Sequence, residues 1–317
     1  MIKTLMLVLL GPLLAFGMKN RRVMFGEAVE NQEFHEKFQF VVFLVIGCDA
    51  DQYCYICTGS LVHPTVVLTA AHCFCRSEEV MIDGKEEIVY SDMNLETVII
   101  YVFYNSTQNA AGDRRVMGRF GGWHRDFSCK HTSEIYHRFQ IDKDIATVIL
   151  DEAIDITPVQ MQCDRNWRAT RAQNTIIPVT LLGFGEDEWE RDSALRKGTT
   201  NTRVCDPHNF RAGEVNRVYC INRNVNDESL RTGNGDSGSP LLFKQSEGAE
   251  PWGYLQVGVH HGNVTIEGRR CLPNGTEVYI SDDINTWTEV NPYCEWIKSF
   301  FNRDDYEPPR KKLCCTQ

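Results

Sequence analysis

The sequence predicts an all-β chain closed by a single C-terminal helix, on three observations. Strand-length apolar runs, β-branched or aromatic in character, recur along the chain and are bounded by Gly, Pro, Asn or Asp. Only one segment carries a clear helical stripe. Thirteen cysteines in 317 residues, behind an apolar leader, point to an exported chain braced by disulfides.

Residues 1–17 read as a secretory signal. Lys3 gives the positive start, residues 5–14 the apolar run, and Ala15-Phe16-Gly17 the small-x-small cleavage site. The run is too short to span a bilayer and no later segment has the required apolar length, so the expectation is a secreted protein with no membrane partner. Residues 18–22 end in Arg21-Arg22 before aliphatic Val23, which reads as a short propeptide removed by cleavage after Arg22. Strands are then expected at 38–46, 60–71, 97–104, 145–150, 176–183, 253–259 and 278–280. Long polar stretches between 77 and 143, including 105–125, read as surface loops punctuated by Arg114-Arg115 and Gly121-Gly122. The helix is expected over 292–302, where Tyr293, Trp296, Ile297, Phe300 and Phe301 share one stripe and Pro292 lies near its start. An extended tail, 303–317, follows. A net charge of −10 excludes nucleic acid as a natural partner, because that partner needs a basic face. Sequons at Asn105, Asn263 and Asn274 suit glycosylation of an exported surface.

Chemistry concentrates at Thr232-Gly233-Asn234-Gly235-Asp236-Ser237-Gly238-Ser239-Pro240. Glycines around Ser237 allow a tight turn that presents one hydroxyl and directs backbone N–H groups inward. The N–H groups of Gly235 and Ser237 are placed to hold an oxyanion while the hydroxyl attacks a carbonyl. A serine needs a base, and the base needs an orienting group. His72 ends the apolar run Leu68-Thr69-Ala70-Ala71-His72-Cys73 and is the candidate base. In Asp142-Lys143-Asp144-Ile145-Ala146, either Asp144 or Asp142 could accept from its imidazole.

Together these stretches resemble the trypsin-like (chymotrypsin-fold) serine proteases. The family's signatures stand here as Thr69-Ala70-Ala71-His72-Cys73, Asp144-Ile145-Ala146 and Gly235-Asp236-Ser237-Gly238-Ser239-Pro240, in the family's order. Cys57-Thr58-Gly59-Ser60-Leu61, Gly183-Phe184-Gly185 and the helix around Trp296 agree as well, so the resemblance covers roughly residues 23–301. Asp144 and Ser237 are 93 residues apart, as in the family, whereas the 72 residues between His72 and Asp144 imply enlarged loops. The resemblance implies two packed six-stranded antiparallel β-barrels, about 23–157 and 158–302, with the site between them. It also implies a secreted serine endopeptidase, made as a zymogen and acting on protein or peptide substrates. Ser237 would be the nucleophile, His72 the base and then acid, Asp144 the orienter, and the N–H groups of Gly235 and Ser237 the oxyanion hole. Cleavage after Arg22 by an activating protease would free the Val23 ammonium to pair with buried Asp236, since a buried carboxylate demands a cation. The expected partners are this substrate, the activating protease and an inhibitor; no cofactor and no metal is expected.

The substrate pocket departs from the family's pattern. Arg231 stands at the floor position that usually sets specificity, Gly233 replaces a half-cystine, and Asn234 completes this segment. The family's Ser-Trp-Gly wall appears as His260-His261-Gly262. Neighbours on a strand point to opposite faces, which favours a modified substrate wall over a metal site. Glu277 falls near a pocket-lining position. A free Arg231 would attract an acidic side chain; an Arg231–Glu277 pair would neutralise and fill the pocket, and is the less costly arrangement. The resemblance supports bridges Cys57–Cys73 and Cys205–Cys220. Cys163 stands where many members tether a propeptide, but nothing before Val23 contains a cysteine to pair with it. Cys48, Cys54 and Cys75 flank the first bridge, and an odd total leaves one thiol over. Export disfavours a zinc reading of Cys54, Cys57, Cys73 and Cys75. The altered pocket keeps a second class in view, a catalytically silent homologue that binds or regulates a partner.

Overall fold

The computed structural model describes residues 26–47, 54–82, 84–107, 114–130, 141–164, 166–167, 176–185, 194–205, 217–222, 232–245, 252–271 and 277–301. Arg22, Val23, Arg231 and Asn274 lie outside these residues.

The first half contributes β1 (Glu27–Ala28), β2 (Val41–Ile46), β3 (Tyr55–His63), β4 (Val66–Thr69), β5 (Cys75–Ile82), β6 (Lys85–Asp92), β7 (Ile100–Phe103), β8 (Arg115–Trp123) and β9 (Ala146–Leu150). The second contributes β10 (Gln160–Met161), β11 (Ile177–Gly183), β12 (Arg196–Val204), β13 (Val218–Asn222), β14 (Pro240–Lys244), β15 (Tyr254–Cys271) and β16 (Glu277–Glu289). Six strands form a closed antiparallel barrel in the order β2-β3-β4-β9-β8-β7. The other sheet runs β1-β12-β11-β14-β15-β16-β13, and pairing of β12 with β13 brings six of its strands round on themselves. β1 borders β12, and β10 adds parallel to β15. The chain is thus the two-barrel, all-β architecture that the resemblance implies, finished by a short helix.

The run 60–71 resolves into β3 and β4, because Pro64-Thr65 forms the turn between them. Two expectations for 77–143 are corrected. β8 occupies residues 115–123 of the presumed loop 105–125, and Gly121-Gly122 sits within it at a register shift opposite β9. The signal there is close approach rather than a turn: a Cβ at Gly121 would collide with the Thr147 side chain, and one at Gly118 with Val148. β5 and β6 form a separate hairpin. It is rich in glutamate because a two-stranded ribbon outside the barrels has no buried face to fill.

A helical segment at Asn31–Phe38 also escaped the periodicity, since it runs straight into the apolar strand β2. Phe34 and Phe38, one turn apart, are both buried in the main core. The C-terminal helix is shorter than expected. A 3₁₀ turn, Asn291–Tyr293, leads into Cys294–Lys298. Tyr293, Ile297 and Phe300 are buried as the stripe predicts, while Trp296 and Phe301 are half-buried. One apolar cluster includes Leu44 and Leu68 of the first barrel with Leu182, Leu242 and Val259 of the second, so the barrels share a core beside the site.

Candidate active site

His72 lies in a 3₁₀ turn, Ala71–Phe74, directly after β4. The adjacent Cys73 is bonded to Cys57 of β3, which fixes the backbone at the imidazole. Asp144 follows another 3₁₀ turn, Ile141–Lys143, and precedes β9. That turn is held from the second barrel: Thr288 Oγ1 donates to the carbonyls of Ile141 (2.5 Å) and Asp144 (3.2 Å), and the Tyr293 hydroxyl donates to the carbonyl of Asp142. Of the two candidate orienters, Asp144 meets His72. Asp142 instead directs its carboxylate towards Lys143 and Arg217, each 3.9 Å away, and burial pushes its pKa up.

Ser237 sits in a turn fastened on every side. Asp236 N donates to Gly233 O (3.1 Å), Gly238 N to His260 O (2.9 Å) and Ser239 N to Asp236 O (2.9 Å). Gly235 and Gly238 have φ of +91° and +83°, a region that favours glycine. A Cβ at Gly238 would also overlap the Thr69 side chain and the backbone of Thr58. From the first barrel, Thr58 N donates to Ser237 O (2.8 Å) and Thr58 Oγ1 to Gly235 O (2.8 Å), while the same Oγ1 accepts from Phe184 N (3.2 Å). Thr58 therefore ties both barrels to the turn, a role not apparent from its place in the motif Cys57-Thr58-Gly59.

These supports bring three side chains into one relay. Ser237 Oγ is 2.7 Å from His72 Nε2, and His72 Nδ1 is 2.6 Å from Asp144 Oδ2. The other oxygen, Oδ1, accepts from the His72 backbone N–H at 2.8 Å. Burial alone would raise the Asp144 pKa, but the imidazoles of His72 and His261 beside it hold it well below the usual carboxylate range. An ionised carboxylate only accepts, so the Nδ1 proton belongs to His72 and its Nε2 lone pair faces the Ser237 hydroxyl. Such a geometry can take the hydroxyl proton as the oxygen attacks. The N–H groups of Gly235 and Ser237 make no backbone hydrogen bond among the described residues.

Asp236 is fully buried beside the turn. Its carboxylate accepts from Gly185 N and Gly233 N, both at 2.8 Å. Gly183 and Gly185 are small for a reason, since a Cβ at either would run into that carboxylate. Two N–H donors do not offset full burial, and the pKa is pushed up to about 7. No cation faces it among the described residues.

The two histidines of β15, expected as a substrate wall, lie beside the relay and the Ser237 turn. The register slips between His260 and Gly262, and this bulge breaks the alternation of side chains. Both rings are buried, at 2% and 7% exposure. His260 Nδ1 donates to Asp236 O (3.2 Å), its ring lies against Trp287, and burial lowers its pKa to about 3. His261 Nδ1 lies 2.5 Å from Asp144 Oδ2. Ligand atoms of His72, Asp144 and His261 lie within 4.8 Å of one another, a cluster of metal-ligand type. The contacts of 2.5 and 2.6 Å are nevertheless hydrogen-bond distances, shorter than two atoms sharing an ion at bonds of about 2.0–2.2 Å adopt in a tetrahedral site.

Of the other predicted pocket residues, Asn234 is exposed and Gly262 borders open space. Glu277 opens β16, with its side chain outside the described part. The sequence reading missed Asn285 of β16. Its Oδ1 accepts from Thr232 N (3.3 Å) and Thr232 Oγ1 (2.7 Å), joining β16 to the segment that leads into the Ser237 turn. Of the predicted glycosylation sites, Asn105 is half-buried and accepts from Gln39, and Asn263 lies within β15 opposite Asn285.

The bridges Cys57–Cys73 and Cys205–Cys220 are present, and the structure adds Cys75–Cys129 and Cys163–Cys294. Cys163 thus ties the link between the barrels to the C-terminal helix and is not available to hold a propeptide. Cys54 is also disulfide-bonded, so the four cysteines considered for zinc are all oxidised.

The chain matches the Trypsin family over residues 28–288 and belongs to it. Among solved structures, an inactivated protease paralogue of the scabies mite, S-I1, shares the fold with a TM-score of 0.50 and 18% identity, covering 87% of this chain and 97% of its own. No curated protein matches the chain.

Proposed function

We propose that this trypsin-family protein is a secreted serine endopeptidase that hydrolyses protein or peptide substrates through an acyl-enzyme. The observation that carries the reading is the unbroken relay from Ser237 Oγ through His72 to Asp144. Ser237 Oγ attacks the scissile carbonyl as its proton passes to His72 Nε2. The N–H groups of Gly235 and Ser237 receive the oxyanion. His72 then gives the proton to the leaving amine, and a water molecule repeats the sequence to release the acid. Asp144 keeps the Nδ1 proton in place throughout. The signal at 1–17, the propeptide at 18–22 and the bridged cysteines support export as a zymogen. Cleavage after Arg22 would supply a Val23 ammonium for Asp236, the buried carboxylate that no described cation serves. The substrate pocket expected around Arg231, Asn234, Gly262 and Glu277 belongs to the same reading, and its preferred residue is a matter for substrate profiling.

The test is to cleave the secreted chain after Arg22 and add a fluorophosphonate probe. The expected result is a labelled protein whose labelling disappears in Ser237→Ala. Processed, folded protein that takes no label would replace the enzyme with the silent homologue.

A further inference from the structure

A trypsin-type mechanism uses one histidine at its carboxylate, and this site holds two. His261 presents Nδ1 to Asp144 Oδ2 at 2.5 Å, as close as His72 Nδ1 on the same oxygen at 2.6 Å. The rings of His72 and His261 stand edge to face with centroids 5.6 Å apart. Asp144 is wholly buried, so each of its hydrogen bonds acts in a low dielectric. With Asp144 ionised, both Nδ1 atoms must carry protons, and the carboxylate accepts three N–H groups, two of them on one oxygen. The bulge after His260 turns His261 inward, so the contact is built into the backbone of β15. No step of the proposed reaction needs this second ring.

We propose that His261 is a positioning residue of the reaction site, making it a Ser237–His72–Asp144–His261 array in which two imidazoles share one carboxylate. His261 holds the same carboxylate oxygen that His72 uses and so sets the direction in which His72 Nε2 faces Ser237. It also competes for charge. The titratable groups facing its ring are Asp144 and His72, with His260 next in the chain. A proton added to the array is divided between two rings around a single negative charge, and a charge on either opposes a charge on the other. Without His261, the whole carboxylate would serve His72.

The activity arm of the test rests on the enzyme reading above, so a spectroscopic arm stands beside it. In the full chain carrying Ser237→Ala, proton NMR is expected to show two low-field imidazole N–H resonances. His261→Gln should remove one and move the other; a spectrum identical to the parent's would overturn the shared carboxylate, whether or not the protein is an enzyme. In the processed protein, His261→Leu is expected to lower kcat by between about 10- and 100-fold with KM little changed. His261→Gln, which keeps an N–H donor, should recover much of that loss while its kcat/KM profile falls off at higher pH on the acid side than the parent's. Equal kcat and superimposable pH profiles in all three proteins would overturn the proposal.

Discussion

Thr58 touches the nucleophile turn through both its backbone and its hydroxyl. Thr58→Val keeps the β-branched shape and the N–H to Ser237 O, but it removes the donor to Gly235 O and the acceptor for Phe184 N. Both orphaned groups are buried, and a net cost of roughly 2 kcal/mol is expected in urea unfolding. Because Thr58 Oγ1 anchors through its carbonyl the residue whose own N–H is proposed for the oxyanion, kcat should fall about tenfold or more, with Thr58→Ser near the parent. An unchanged kcat would show that the turn holds itself. Ser237, His72 and Asp144 were legible from sequence because their residue types and short motifs carry the chemistry directly. The roles of Thr58, His261 and Asn285 were not, because each acts across the sheet or between barrels. No local pattern tells a strand that a bulge will turn its second histidine inward.

At the scale of elements, apolar content decided what could be read. β2, β9 and β11 are largely buried runs, and their bounds in sequence and structure differ by only a few residues. β8 and the β5–β6 hairpin were read as loops because glycine and glutamate hide a strand whose faces are half-exposed. Connectivity of the cysteines was open for a similar reason: Cys163 and Cys294 are 131 residues apart, and only the fold joins them. Their bridge fastens the C-terminal helix to the start of the second barrel and closes a long loop in the unfolded chain. Replacing both with alanine is expected to cost about 2–5 kcal/mol. In calorimetry that is a fall in Tm of roughly 3–8 °C for a chain of this size. A Tm within a degree of the parent's would mean that Tyr293, Ile297 and Phe300 hold the helix unaided.

Across the whole molecule, Asp236 couples the proposed activation cut to stability. In the uncut chain Val23 has no free ammonium, and the buried carboxylate has only the N–H groups of Gly185 and Gly233. Its pKa rises from the ordinary carboxylate value to about 7, so the folded state prefers the protonated form. The sign follows from linkage: this contribution is fully present below about pH 4 and is lost as the pH rises towards 7. A rise of about three pKa units corresponds to on the order of 4 kcal/mol over that window. The uncut Ser237→Ala chain should therefore lose unfolding free energy between pH 4 and 7 relative to the same chain carrying Asp236→Asn, whose residue 236 does not titrate. Cleavage after Arg22 should reverse the slope. A Val23 ammonium paired with ionised Asp236 would hold the carboxylate charged, and the cut protein should stay stable up to about pH 8, where a free α-amino group begins to lose its proton. Urea titrations of the cut and uncut chains across pH 4–8 decide the matter. Identical slopes before and after cleavage would mean that the new N-terminus never reaches Asp236, and that the turn carrying Ser237 is set without it.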